Sequence, residues 1–156
     1  MYKTINLKKL VISLLIPLLV GGAAALLTMN SGEVWKGLNR PPLSPPGWVF
    51  PVVWTVLYLM MGAAYYMAST GRSVGSAYTG FYAAQLLVNF LWPIVFFRFQ
   101  MYKTALLVLE LLWVLVLVTT VLFGKRDKAA GLLMVPYLLW ITFALYLNIG
   151  VAVLNP

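Results

Sequence analysis

"PPLSPPGWVFPVVWTVLYLMMGAAYYMASTG", Pro41 to Gly71, contains no charged residue. It opens with a proline-rich approach and runs on as an apolar segment. That segment suits a helix of roughly 20 residues, the length that crosses about 30 Å of hydrocarbon. The pattern recurs along the chain: no Lys, Arg, Asp or Glu falls between Arg72 and Arg98, or after Lys128. Charged residues make up 9% of the 156 positions and hydrophobic residues 63%, whereas a soluble domain carries about a quarter charged residues. The fold class that follows is an all-α integral membrane protein.

Five spans fit, over about 8–28, 46–69, 77–98, 103–123 and 129–153, and make one membrane domain, 1–156, folded as a five-transmembrane-helix bundle. Lys3, Lys8 and Lys9 precede an apolar run from Leu10 to Leu27. That run is long for the core of a signal peptide and no cleavage pattern follows it, so it reads as a retained first span. "STGRSVGS" (69–76) and "GKRDK" (124–128) are short turns. The longest connection, 29–45, reads as a lid. Within it "SGEVWKGL" suits one amphipathic turn on the membrane surface, with Trp35 as an interfacial anchor. Lys3, Lys8, Lys9, Arg72, Lys125, Arg126 and Lys128 fall on the N-terminal side, against Lys36, Arg40, Arg98 and Lys103 opposite. The excess of basic residues predicts a cytoplasmic N-terminus and an external C-terminus.

The net charge of +8 is explained by these flanking residues, and no nucleic-acid partner is expected. The chain has no Cys and no His. Disulfides and His-based triads are therefore excluded, and no metal site is expected.

Residues three, four and seven apart share a helix face. On span two, Trp54, Tyr58, Met61 and Tyr65 form such a stripe, with Phe50 a turn before. Gln85, Asn89, Trp92 and Phe96 do so on span three; Tyr137, Ala144 and Asn148 do so on span five, with Trp140 beside them. Such stripes fit either helix packing or a ligand cavity. Large rings prevent close helix approach, which small residues favour in membranes. Pro17, Pro51, Pro93 and Pro136 lie in or near the starts of spans, where proline frees carbonyls and bends helices. Both features lean toward a cavity.

An aromatic, uncharged site suits a large, flat, mainly apolar molecule such as a tetrapyrrole, a sterol or a polycyclic drug. A metal-free porphyrin fits better than haem, and its carboxylates would reach for Arg40 or Lys36 at the mouth. Pro41, Pro42, Pro45 and Pro46 stiffen the approach to span two. Pro51 falls in its first turn, where a missing N–H costs little. Trp48 suits the membrane interface and Trp54 the cavity wall. Ser76, Gly80 and Ala84 repeat every four residues, a pattern that fits either a homodimer or packing within the chain. Glu110 is the one acid well inside a span, and reads either as a proton-coupling group or as a carboxyl hydrogen-bonded within the bundle.

Three long stretches carry a family resemblance: "WKGLNRPPLSPPGWVFPVVWTVLYLMMG" (35–62), "FYAAQLLVNFLWPIVFF" (81–97) and "VPYLLWITFALYLN" (135–148). In this order, on spans two, three and five, they resemble the translocator protein or tryptophan-rich sensory protein family (TSPO). The resemblance implies a five-helix bundle, commonly dimeric, with a cavity beneath the first loop. It implies binding of porphyrins such as protoporphyrin IX and, in eukaryotic members, of cholesterol and synthetic ligands; some bacterial members degrade porphyrin in light. By position it implies ligand contacts from Trp54, Tyr58, Asn89, Trp92, Trp140 and Ala144. The chain departs from the family at Leu43, where an aromatic residue usually stands between the proline groups. It departs again at "LNIGVAVLNP", which lacks the basic residue of the animal sterol motif. A bacterial cell membrane is the expected location.

The leading expectation is a porphyrin-binding protein acting in transport, scavenging or signalling, with no cofactor required. The alternatives are a light-dependent porphyrin-degrading enzyme working through Trp54 and Trp140, and a structural or assembly protein of the membrane.

Overall fold

A computed structural model describes residues 4–71 and 73–156. Lys3 and Arg72, both used in the orientation count, lie outside the described residues. The described residues form six α-helices: α1 (Leu7–Leu27), α2 (Ser31–Gly37), α3 (Val49–Ser69), α4 (Ser76–Pro93), α5 (Tyr102–Arg126) and α6 (Lys128–Leu154). A π-helical turn, Ile94–Arg98, prolongs α4. All but α2 are long and apolar enough to cross a membrane. The bundle is therefore the expected five-span one, with a short extra helix in the first connection.

Local chemistry sets the helix ends. Asn6 caps α1, its Oδ1 accepting from the Lys9 N–H at 3.0 Å, a side-chain bond that satisfies one free amide of a first turn. Pro51 stands third in α3, within the first turn, where no amide bond is lost. Pro93 lacks the N–H that would continue the ladder, and the next residues widen into the π turn. Asp127 alone joins α5 to α6, its Oδ1 accepting from the Ala129 and Ala130 N–H groups at 2.9 and 3.2 Å. Gly131 brings α6 against Gly124 of α5, where an added Cβ would press on the Gly124 backbone.

The helices follow one another around the bundle as α1, α3, α6, α5 and α4, with the thinnest seam between α4 and α1. Met61, Phe96, Leu109, Leu112, Val116, Met134, Tyr137 and Ile141 fill the centre. The outer surface stays apolar, with Leu19, Leu107, Leu139 and Val153 exposed. A bilayer, unlike water, accepts such a surface.

Basic side chains close the end nearest the N-terminus. Lys9 donates to the Ser69 carbonyl at 2.6 Å and Arg126 to the Ala68 carbonyl at 2.7 Å. Two different helices thus supply cations to the last turn of α3, whose carbonyls carry the negative end of the helix dipole. At this end α1 crosses α3 closely, because Gly62 leaves room for the Ser13 carbonyl and the Leu14 backbone.

The opposite end carries the lid. Trp35 was expected at the membrane interface; instead it is 3% exposed. Its indole N–H donates to the Pro45 carbonyl at 3.1 Å, and its ring meets Phe50 edge-on at 5.0 Å. Arg40 covers the ring at 5.4 Å from the centroid, a cation–π arrangement. α2 is therefore folded inward onto the bundle. Trp48, in contrast, is 69% exposed, as an interfacial residue would be.

Candidate functional site

A cavity of about 580 Å³ lies between α1, α3 and α4, with α2 as its roof. α1 contributes small residues, Gly21, Gly22, Ala24 and Ala25, while α3 contributes Phe50, Pro51, Trp54, Thr55 and Tyr58. Asn89, Trp92, Pro93 and Phe97 close the α4 side, and Trp35 hangs from the roof. No charged side chain among the described residues lines it. The hollow exists because large rings face small residues here. The Tyr58 ring fills the place where a Gly21 Cβ would sit. Trp54 stacks on Tyr58 at 5.6 Å and meets Tyr137 edge-on at 6.0 Å. These contacts hold the indole in one orientation.

The polar groups of the wall are already bonded to one another. Tyr58 donates to Asn89 Oδ1 at 2.7 Å, Asn89 Nδ2 donates to the Tyr137 oxygen at 2.8 Å, and Tyr137 donates to Gln85 Oε1 at 2.8 Å. A second chain runs from Trp92 Nε1 to Asn148 Oδ1 at 3.0 Å and from Asn148 Nδ2 to the Tyr102 carbonyl at 2.9 Å. The amides thus tie α3, α4, α5 and α6 together, each bond contributing on the order of 1 kcal/mol. A ligand meets aromatic faces and aliphatic edges, with shape rather than charge deciding what fits.

Trp54, Tyr58, Asn89 and Trp92 of the sequence-based set come together on this wall. Trp140 and Ala144 do not line it. The Trp140 ring stands behind Phe50, with centroids 6.0 Å apart, and packs on Phe143 at 5.6 Å; Ala144 is buried. The Trp140 indole N–H is buried without a partner.

The loop prolines fasten the roof rather than line the cavity. Pro41 fits a notch over α6 that only a glycine at 150 leaves open. The Pro42 carbonyl accepts from the Tyr146 hydroxyl at 2.7 Å. Asn155 makes two bonds to the Asn39 backbone, at 3.1 and 2.8 Å. Pro46 is exposed. Leu43 is 85% exposed, with a φ of 67° that a branched residue rarely adopts. It turns the chain and makes no part of the wall.

On α4, Ser76 and Gly80 are exposed and Ala84 is half-buried; a Cβ at Gly80 would meet nothing. This stripe is free of intrachain packing at Gly80. Glu110 is exposed on the outer face of α5, away from the cavity. No cluster of His, Cys, Asp or Glu suited to a metal ion occurs among the described residues.

Sequence reasoning missed the roof residue Trp35 and the cavity role of Gly21, Phe50 and Phe97. Phe50 and Trp35 carried a signal, since both lie in the proline-flanked stretch. The ring-accepting role of Gly21 depends on Tyr58 from another helix.

Residues 13–154 match the model of the TspO/MBR family. The chain is 38% identical over 143 residues to the Tryptophan-rich protein TspO of Chlorobaculum tepidum, covering 89% of this chain and 90% of the relative. It is 43% identical over 127 residues to the Tryptophan-rich sensory protein of Cereibacter sphaeroides, covering 81% and 80%. Against the Translocator protein of Bos taurus it is 34% identical over 139 residues, covering 86% and 82%. The chain belongs to the TspO/MBR family.

Proposed function

We propose that this member of the TspO/MBR family binds a tetrapyrrole of the protoporphyrin IX type in the cavity beneath α2, and acts in porphyrin transport, scavenging or signalling. One observation carries the reading: an uncharged cavity of about 580 Å³ walled by Trp35, Phe50, Trp54, Tyr58, Trp92 and Phe97. A flat conjugated ring gains most from such faces, through offset stacking and edge contacts worth roughly 0.5–1.5 kcal/mol per pair beyond area burial. Arg40, which lies over the Trp35 ring, and Lys36 of α2 are the cations at the roof for a propionate leaving the mouth. No cofactor is required for this binding.

The experiment is a titration of protoporphyrin IX into detergent-purified protein. Tryptophan fluorescence is quenched with saturation, at one porphyrin per chain. Quenching without saturation removes the reading, and the aromatic faces are then packing alone.

The stacking of Trp54 on Tyr58 favours a second reading, light-dependent degradation of the bound porphyrin, in which the light-excited porphyrin takes one electron from Trp54 and dissolved dioxygen is the oxidant that breaks the macrocycle. Trp140 would take part only after Phe50 moves aside. On this reading Trp54→Phe slows bleaching under illumination; bleaching at the wild-type rate excludes it.

The stripe of exposed Ser76 and Gly80 and half-buried Ala84 supports a homodimer through α4, and the basic residues near Lys9 and Arg126 support a cytoplasmic N-terminus in a bacterial cell membrane.

A further inference from the structure

We infer that the ligand enters this cavity sideways from the bilayer, through a portal between α1 and α3, while the roof stays fastened. The inference rests on the reading that the cavity takes a flat apolar ligand, and adds where that ligand comes from: the hydrocarbon of the membrane rather than the water above it.

The walls differ in exposure. On the α4 side Asn89 and Trp92 are buried. Gly22 and Ala25 of α1 and Pro51 and Thr55 of α3 line the same cavity and are exposed, whereas Pro93 and Phe97 on the α4 side are half-buried. The membrane-facing opening is thus on the α1–α3 flank. Its cause lies lower in the bundle. α1 and α3 touch backbone to backbone where Gly62 meets Ser13, and nearer the roof the Tyr58 ring stands between α3 and Gly21. Gly22 leaves open space at its Cβ position, so nothing on α1 plugs the gap.

Depth identifies the phase outside. Trp48 is exposed at the start of α3 and marks the interface, where tryptophan prefers to sit. Thr55 lies seven residues further along, about 10 Å deeper at 1.5 Å per residue, inside the hydrocarbon layer. The roof is fastened at four points, although Gly32 and Gly47 beside it also line the cavity and are exposed. Trp35 bonds to Pro45, Pro42 accepts from Tyr146, Asn155 clasps Asn39, and Pro41 sits in the Gly150 notch.

Two measurements test this. The first needs no ligand. The chain has no native cysteine, so Thr55→Cys accepts a single nitroxide label in protein reconstituted into phosphatidylcholine vesicles. A bilayer portal gives strong relaxation by oxygen and weak relaxation by a water-soluble nickel chelate. Dominant relaxation by the nickel chelate means a wetted mouth, and overturns the proposal.

The second is stopped-flow association of protoporphyrin IX with the reconstituted protein. Gly22→Phe with Ala25→Phe, filling the portal, slows association at least tenfold and slows dissociation with it. Asn39→Cys with Asn155→Cys, oxidised to lock the roof, leaves the association rate within about twofold of the reduced form. The opposite pattern, a slow locked roof and a fast filled portal, overturns the inference. Should the unmodified protein fail to bind porphyrin saturably, the functional reading falls, and the nitroxide measurement still decides the portal.

Discussion

At the end near Lys9 and Arg126, α1 lies on α3 with Gly62 against the Ser13 carbonyl, and α6 turns back on α5 with Gly131 against Gly124. At the end beneath α2, the same α1 stands off from the same α3, and Trp54 and Tyr58 occupy the space between a small-residue helix and the bundle. Both ends use glycine on or beside α1. At Gly62 the missing side chain admits a backbone; at Gly21 it admits the edge of a ring, and at Gly22 it leaves a void. The lesson is that a small residue in a membrane helix does not by itself mean tight packing. What matters is whether the neighbour opposite offers backbone or a large ring.

The sharpest way to break this contrast is to swap side chains into the two kinds of glycine. Gly62→Leu forces apart two backbones that cannot shift independently, and costs about 3 kcal/mol or more. Gly22→Ala is neutral or stabilising by up to about 1 kcal/mol, since it only removes a flexible residue from a helix. Thermal unfolding followed by circular dichroism in one detergent compares them, and equal effects would erase the distinction between the ends.

A smaller effect separates the ends by function. Trp54→Ala weakens protoporphyrin IX binding about tenfold, near 1.4 kcal/mol, as read from the midpoint of the quenching titration. Binding that survives at full strength would take Trp54 out of the site.

The smallest effect comes from the tightly packed end. Tyr82 stacks on Tyr65 with centroids 4.6 Å apart, and its hydroxyl is buried with no partner among the described residues. Tyr82→Phe keeps the stack and removes the orphan group. The protein gains up to about 1 kcal/mol in thermal stability and binds porphyrin as before. A loss of stability would reveal a partner for that hydroxyl, and a loss of binding would extend the site into this half.

Much of this was legible before the structure. The charge-free gaps located the spans, because a bilayer leaves little choice between helix and loop at such depth. "GKRDK" announced a short turn, and the spacing of Trp54 and Tyr58, or of Asn89 and Trp92, put each pair on one face. What stayed hidden were relations between helices. Trp140 lies beside the face of Tyr137, Ala144 and Asn148, yet periodicity cannot reveal that Phe50 stands in front of Trp140 or that Ala144 is buried away from the cavity. Trp35 looked like an interfacial anchor because a short amphipathic helix usually is one. Its burial depends on the Pro45 carbonyl and the Phe50 ring, neither of which helix periodicity relates to it. Polar residues were ambiguous in the same way: Asn89 lines the cavity, but both ends of its amide are already engaged by tyrosines.

The clasp between Asn39 and Asn155 joins positions on either side of four membrane spans. During synthesis the first connection must therefore wait, unfastened, until the fifth span has been made and inserted. Until then the roof has Trp35 and Pro45 to shape it but nothing to anchor it. The hollow is sealed at the top only as a late event of biogenesis, and a ligand already dissolved in the surrounding lipid could be present when that seal forms.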